Sequence, residues 1–192
     1  MKGKVFLTFA LVVILALTLT ASAFARGGSP AKTYRANLIT LNGSGVTGQV
    51  SIQLLPLEQM KVMVWAYGLA PRKAHMQALL GFKNGSQSVV PPPAADTSGD
   101  GYISFAEALP FTGPVLLDLT RASDVFPAAK KSGMLVFTWV YRGKDVLKDL
   151  DLGGVPLTKR VFMIQGGFRA PAYGPAVYDP TLPVAAARLV KS

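Results

Sequence analysis

The sequence predicts an all-β fold, an antiparallel Greek-key sandwich of about eight strands with one long acidic loop inserted. Three observations carry that expectation. Short runs of Val, Ile, Leu, Tyr, Phe and Thr recur along the chain. Clusters of Gly, Pro and Asn punctuate them, as turns punctuate strands. Helical periodicity is weak throughout.

Each element follows in order. Residues 34–41 form the first strand, Asn42-Gly43-Ser44-Gly45 a turn, and 47–54 a second strand in which Val50, Ile52 and Leu54 alternate. The pair is expected as a hairpin. Residues 61–69 make a strong strand, with Val62, Val64 and Ala66 on one face and Met63, Trp65 and Tyr67 on the other. Residues 75–82 make another, reached through Ala70-Pro71-Arg72-Lys73, and 115–120 the next. Residues 134–141 are almost wholly apolar, which predicts a central strand. Residues 160–165 and 184–190 complete the set. The proline-rich stretches 91–93 and 171–183 are expected as surface connections, and no internal repeat is present.

The N-terminus has the three parts of an export signal. Lys2 and Lys4 precede an uncharged apolar run over 5–19, and Ala23 and Ala25 then supply small residues at A-x-A spacing. The run is about 15 residues, short of the roughly 20 that a membrane span needs. Residues 1–25 are therefore expected to be a cleaved signal peptide and 26–192 a single domain, exported to the periplasm or secreted. No integral membrane segment is expected after cleavage.

The chain has no Cys and one His, His75. Thiolate metal sites, a Cys nucleophile and multi-His zinc or copper sites are excluded within one chain. Without Lys2 and Lys4 the formal charge falls from +10 to +8. A positive surface attracts anionic polymers or membranes. The basic residues are scattered, as Arg72-Lys73, Lys130-Lys131 and Lys159-Arg160, so nucleic-acid binding is not expected.

The segment Asp96-Thr97-Ser98-Gly99-Asp100-Gly101-Tyr102-Ile103-Ser104-Phe105-Ala106-Glu107 fits the EF-hand calcium loop position by position. Ca2+ is a hard cation that takes six to eight oxygens. Asp96, Ser98 and Asp100 alternate so that their side-chain oxygens can converge. Gly101 permits the sharp turn, Tyr102 offers its carbonyl, Ser104 acts directly or through water, and Glu107 closes the shell with two oxygens. Three of the ten acids of a basic chain fall in these residues. Ser98 lowers the ligand charge. Prolines at 91–93 and Pro110 leave room for about one helical turn after the loop, so a structural site of extracellular affinity is expected, not a sensor.

The order of these pieces resembles the chordin-type domain proteins of bacteria, themselves similar to the copper/zinc superoxide dismutase sandwich. The resemblance covers most of 34–190. It rests on Gly68-Leu69 leading to His75, on Gly81-Phe82, on the acidic loop, on Phe111-Thr112-Gly113-Pro114-Val115 with Leu119-Thr120, and on Tyr178-Asp179-Pro180-Thr181-Leu182-Pro183-Val184-Ala185. The resemblance implies the sandwich and the calcium loop. The family's His-x-x-His-Ile-His-Gly stretch appears as His75-Met76-Gln77-Ala78-Leu79-Leu80-Gly81, and its later Val-x-His-Gly as Met163-Ile164-Gln165-Gly166. Its Cys-Pro appears as Val90-Pro91 and its Ala-Cys-Gly as Ala185-Ala186-Ala187. The transition-metal ligands and both cysteines are absent together, which removes imidazole-type copper chemistry.

The expected function is a secreted, non-enzymatic, calcium-binding sandwich with a surface, matrix or ligand-interaction role. One alternative is a basic adhesin for anionic polysaccharide or membrane; the partners expected besides calcium are an anionic polymer or a cell-surface component. Another is a hydrolase or redox-type enzyme using His75, which would need a carboxylate partner. Outside the loop the acids are Glu58, Asp118, Asp124, Asp145, Asp149, Asp151 and Asp179, none in a recognisable catalytic motif. A thioether Cu(I) site would need Met63, Met76 and Met163 beside His75.

Overall fold

The computed structural model describes residues 31–121, 125–143, 155–170 and 173–192. The expected signal peptide lies outside the described residues, as do Asp124, Asp145, Asp149 and Asp151. Residues Ala31–Ser192 make one unit. Its strands are β1 (Lys32–Asn37), β2 (Ile39–Thr40), β3 (Thr47–Leu55), β4 (Gln59–Tyr67), β5 (Gln77–Leu80), β6 (Val115–Asp118), β7 (Leu135–Arg142), β8 (Val161–Arg169), β9 (Val177–Arg188) and β10 (Val190–Lys191), with one α-helix, α1 (Phe105–Thr112).

The strands form two antiparallel five-stranded sheets, in the orders β10-β1-β3-β4-β7 and β2-β9-β8-β5-β6. This is the expected β-sandwich. β8 returns past β6 to lie beside β5, the long return of a Greek key. The expected hairpin is present as β1 against β3, from Lys32↔Leu54 to Asn37↔Gln49. Its connection is longer than the tight turn foreseen, because the chain first crosses to the other sheet. β1 pairs in the first sheet while β2, two residues on, pairs with β9 in the second. β9 and β10 make the reverse crossing. Leu38 and Leu189 are buried at these two corners. The crossings supply two short strands beyond the eight expected.

Alternation in β3 and β4 sets the inner face. Val50 pairs with Val64 and Ile52 with Val62, and all four are fully buried. They pack with Phe137, Phe162, Ile164 and Leu79 between the sheets. A second cluster lies on the other side of the second sheet. There Ala78, Leu80, Val161, Met163 and Ala186 are covered by Ala95, Ile103 and Ala108, with Phe105 and Phe111 packed against them. The acidic loop and α1 thus form a third layer.

That layer explains three departures from expectation. Residues 134–141 are not central: β7 is an edge strand with Val136 exposed. The strands covered on both faces are β5, β8 and β9, buried continuously over 77–80, 161–167 and 182–187. The stretch 171–183 is not wholly a connection, since β9 begins at Val177 and Pro183 sits opposite Gln165 at a register shift. A proline is tolerated there because a bulge does not need its missing N–H. Finally, α1 runs two turns and contains Pro110. The ring removes one helical hydrogen bond, but Ala108 and Phe111 on either side of it pack onto the sheet and hold the last turn.

Candidate functional site

The acidic loop begins after a 3-10 turn at Pro93–Ala95 and ends inside the first turn of α1. Asp96 organises its first half. Its Oδ1 accepts from the Gly99 N–H at 2.8 Å and the Ser98 hydroxyl at 3.2 Å, and its Oδ2 accepts from the Gly101 N–H at 2.9 Å. Gly101 has φ of +84°, the conformation that the sixth position needs and that a Cβ would oppose. Asp100 Oδ1 accepts from the Tyr102 N–H at 2.8 Å.

Glu107 closes the loop. Ser104 caps α1 and forms a reciprocal capping box with Glu107, whose Oε2 accepts from the Ser104 N–H and hydroxyl, both at 2.8 Å. Its Oε1 reaches back to the loop entrance and accepts from the N–H groups of Thr97 (3.0 Å) and Ser98 (2.9 Å) and from the Thr97 hydroxyl (3.1 Å). The Ser104 N–H and hydroxyl, then the Ser98 N–H and Thr97, hold the Glu107 carboxyl well below its ordinary value of 4.5, at about 2, against a smaller opposing effect of desolvation. A depressed folded-state value stabilises the fold above the unfolded value and loses that stabilisation as pH falls through the folded one. The unfolding midpoint measured in chelator should therefore drop between pH 4.5 and about 2. Glu107→Gln should flatten that segment of the pH profile, and a wild-type slope retained by the variant would count against this assignment.

The loop is fastened to the sandwich by Asn42. Its Oδ1 accepts from the Ile103 N–H at 2.7 Å, and its Nδ2 donates at 2.9 Å to the carbonyls of both Ile103 and Pro183. A carboxamide presents a donor and an acceptor much as a peptide group does, so Ile103 is held as if by a neighbouring strand. Asn42 also has φ of +54°, which Asn tolerates better than most residues. Asn42→Ala should cost about 2 kcal/mol in denaturant unfolding, from the lost bonds and the strained backbone. An unchanged midpoint would mean the clamp contributes nothing.

A residue that the sequence reading missed completes the site. Arg169, the last residue of β8, places Nη1 3.0 Å from Asp100 Oδ2 and Nε 2.9 Å from Asp179 Oδ2. Its guanidinium lies 5.2 Å from the centre of the Tyr102 ring, whose hydroxyl accepts from the Ala170 N–H at 2.9 Å. Burial pushes the Asp179 carboxyl up, but the Thr181 hydroxyl and N–H together with Arg169 outweigh it and leave the group below its ordinary value. The loop therefore already has a cation, a tethered one, against one of its expected ligands.

The six expected ligand residues thus lie in one loop, and all their donor atoms are hard oxygens, as Ca2+ prefers. They do not converge as a finished shell. Among the described residues no three His, Cys, Asp or Glu side chains form a metal-holding group. Asp96 and Ser98 touch, Asp100 is turned to Arg169, and Glu107 is satisfied by five donors. The donor chemistry fits calcium. The arrangement described is one in which N–H groups and a guanidinium supply the positive charge.

His75 is fully buried, with Nδ1 3.1 Å from the Gln165 carbonyl and Nε2 3.1 Å from the Ala70 carbonyl. Tyr178 stands edge-on, its centroid 6.3 Å away. The ring bridges two backbone segments and shows no carboxylate contact. The thioether set is not assembled: Met76 and Met163 line a cavity on the outer face of the second sheet, while Met63 sits in β4 of the first. Ala78, Leu80 and Gln165 line that same cavity. Val90 packs against the outer cluster that contains Ala186.

Fold and site define a Greek-key sandwich carrying one acidic loop on the outer face of its second sheet. No family model matches the chain, and no curated protein matches it. No described helix is long and apolar enough to cross a membrane.

Proposed function

We propose that this is an exported, non-enzymatic sandwich of chordin-type kinship whose loop binds Ca2+ as a structural ion. The observation that carries the reading is the 12-position ligand pattern closed by Glu107 as the third helical residue of α1, on a loop fastened to the core through Asn42. Asp96, Ser98, Asp100, the Tyr102 carbonyl, Ser104 and Glu107 would hold the ion. Kinship is supported by Gln165, which is distant in sequence from Ala78 and Leu80 yet lines one cavity with them, as positions of a single former site would. The charge excess makes an anionic polymer or cell-surface component the favoured class of partner.

Calcium must displace Arg169 from Asp100 to engage that ligand. The pair is partly exposed, with the two side chains 30% and 48% accessible, so the competition is worth about 1 kcal/mol or less. Equilibrium dialysis should find one Ca2+ per chain, with a dissociation constant of roughly 10⁻⁴ to 10⁻³ M. Arg169→Gln should tighten it by up to about fivefold. No bound calcium at 10 mM, about ten times the upper value, would overturn the reading. Unchanged affinity in Arg169→Gln would remove the competition but leave the site.

A further inference from the structure

The cavity on the outer face of the second sheet has a built interior that the loop does not use. It encloses about 200 Å³. Ala78, Leu80 and Met163 form the floor, all three buried, with Met76 and Phe105 as walls. Ala78 pairs with Met163 across β5 and β8, so the floor is rigid sheet. Covering the sheet with α1 closes one side through Phe105, the first residue of the helix.

Three polar side chains interrupt this lining, Asp118, Thr181 and Gln165; the Thr181 hydroxyl already donates to Asp179 Oδ1 at 2.7 Å. Gln165 is only 7% exposed, and its side-chain amide has no hydrogen-bond partner among the described residues. Its backbone is fully engaged, with its N–H on the Met76 carbonyl and its carbonyl against His75. The strand is thus fixed and the amide is left at the cavity. A carboxamide set in an apolar lining offers a ligand one donor and one acceptor. The apolar floor disfavours any full charge.

We propose that this cavity binds a small uncharged molecule with an apolar body and one hydrogen-bonding group, received by Gln165. The volume sets the size. An apolar cavity of about 150 Å³ accepts benzene, so 200 Å³ accommodates a six-membered ring with a small polar substituent. The thioethers of Met76 and Met163 adapt to the ring and make favourable contacts with its edge.

Phenol and benzene are the probes. Protein labelled with ¹³C at the methionine methyls is titrated with each in the presence of a chelator, so the outcome is independent of calcium binding. Phenol should move the Met76 and Met163 methyl signals saturably, with a dissociation constant of about 1 mM or tighter. Met60, fully buried between the sheets, should stay in place. Benzene should bind about tenfold more weakly, for want of the hydrogen bond. Gln165→Leu should bring phenol down to benzene, and Ala78→Phe, which fills the floor, should abolish both titrations while the Met60 signal reports an intact core. Shifts that grow without saturation, or spread over all the methionines, would overturn the proposal. So would phenol and benzene binding equally to wild type, or a Gln165→Leu variant that keeps the preference for phenol.

Discussion

Calcium should raise the thermal unfolding midpoint of the purified protein by roughly 3 to 10 °C at 10 mM, and Asp100→Ala should abolish the rise. A ligand that binds only the folded state stabilises by RT ln(1 + [L]/Kd), about 1.4 kcal/mol at ten times Kd and about 2.7 kcal/mol at a hundred. Those ratios follow from extracellular-type affinities, and each kcal/mol moves the midpoint of a domain this size by about 2–4 °C. Asp100→Ala also removes the pair with Arg169, so its midpoint in chelator will sit slightly lower. The decisive quantity is the difference between calcium and chelator within each protein. Equal differences in wild type and variant would mean that calcium acts elsewhere. No difference in wild type would mean that the hydrogen bonds and Arg169 alone close the loop.

Gly113→Ala should destabilise the fold by about 3 kcal/mol, through two additive causes. Gly113 ends α1, donating its N–H to the Leu109 carbonyl at 2.9 Å, and has φ of +77°. A side chain there incurs backbone strain of about 1–3 kcal/mol. A Cβ would also lie 2.5 Å from the Gly81 carbonyl carbon and 2.7 Å from its oxygen. Backbone cannot turn aside as a flexible side chain can, so the helix end must lift from β5, at a further cost typical of overpacking. Denaturant unfolding measures the loss. A lower midpoint with unchanged calcium affinity is not expected, because the same lift displaces Glu107 and Phe105 at the other end of α1. A change within 0.5 kcal/mol, the range of an ordinary surface substitution, would show that the helix end is not docked as described.

Much of the loop was legible in the sequence because its chemistry is local. Asp96 bonds the Gly99 and Gly101 N–H groups and Glu107 those of Thr97 and Ser104, so the N–H to carboxylate bonds join residues at most ten positions apart. The capping box was equally open to inspection, as Ser104 followed three residues later by Glu107. Arg169 was not, since it reaches Asp100 across 69 positions. Asn42 illustrates the same limit, because Asn-Gly marks a turn in any sequence but nothing local says that its amide will clamp Ile103, 61 positions on.

The strands divide in the same way. β3 and β4 were read correctly down to their faces, since Val50, Ile52, Val62 and Val64 alternate with residues that face outward. Residues 134–141 misled because an apolar run looks the same whether it is buried on both faces or lies at an edge with Val136 exposed.

By itself, the sequence determined what short-range stereochemistry and residue composition determine. That covers strand alternation, turn positions, the oxygen-bearing side chains of the loop, and the exclusion of thiolate and multi-histidine chemistry in a chain with no Cys and one His. Tertiary structure alone decided which strands are central, that the loop and α1 form a third layer over β8 and β5, that Arg169 faces Asp100, and that Gln165 stands unpaired at an apolar cavity. Each of these depends on contacts between residues tens of positions apart. Such contacts form only when burial of the two clusters offsets the chain entropy of bringing them together, and no local pattern encodes that sum.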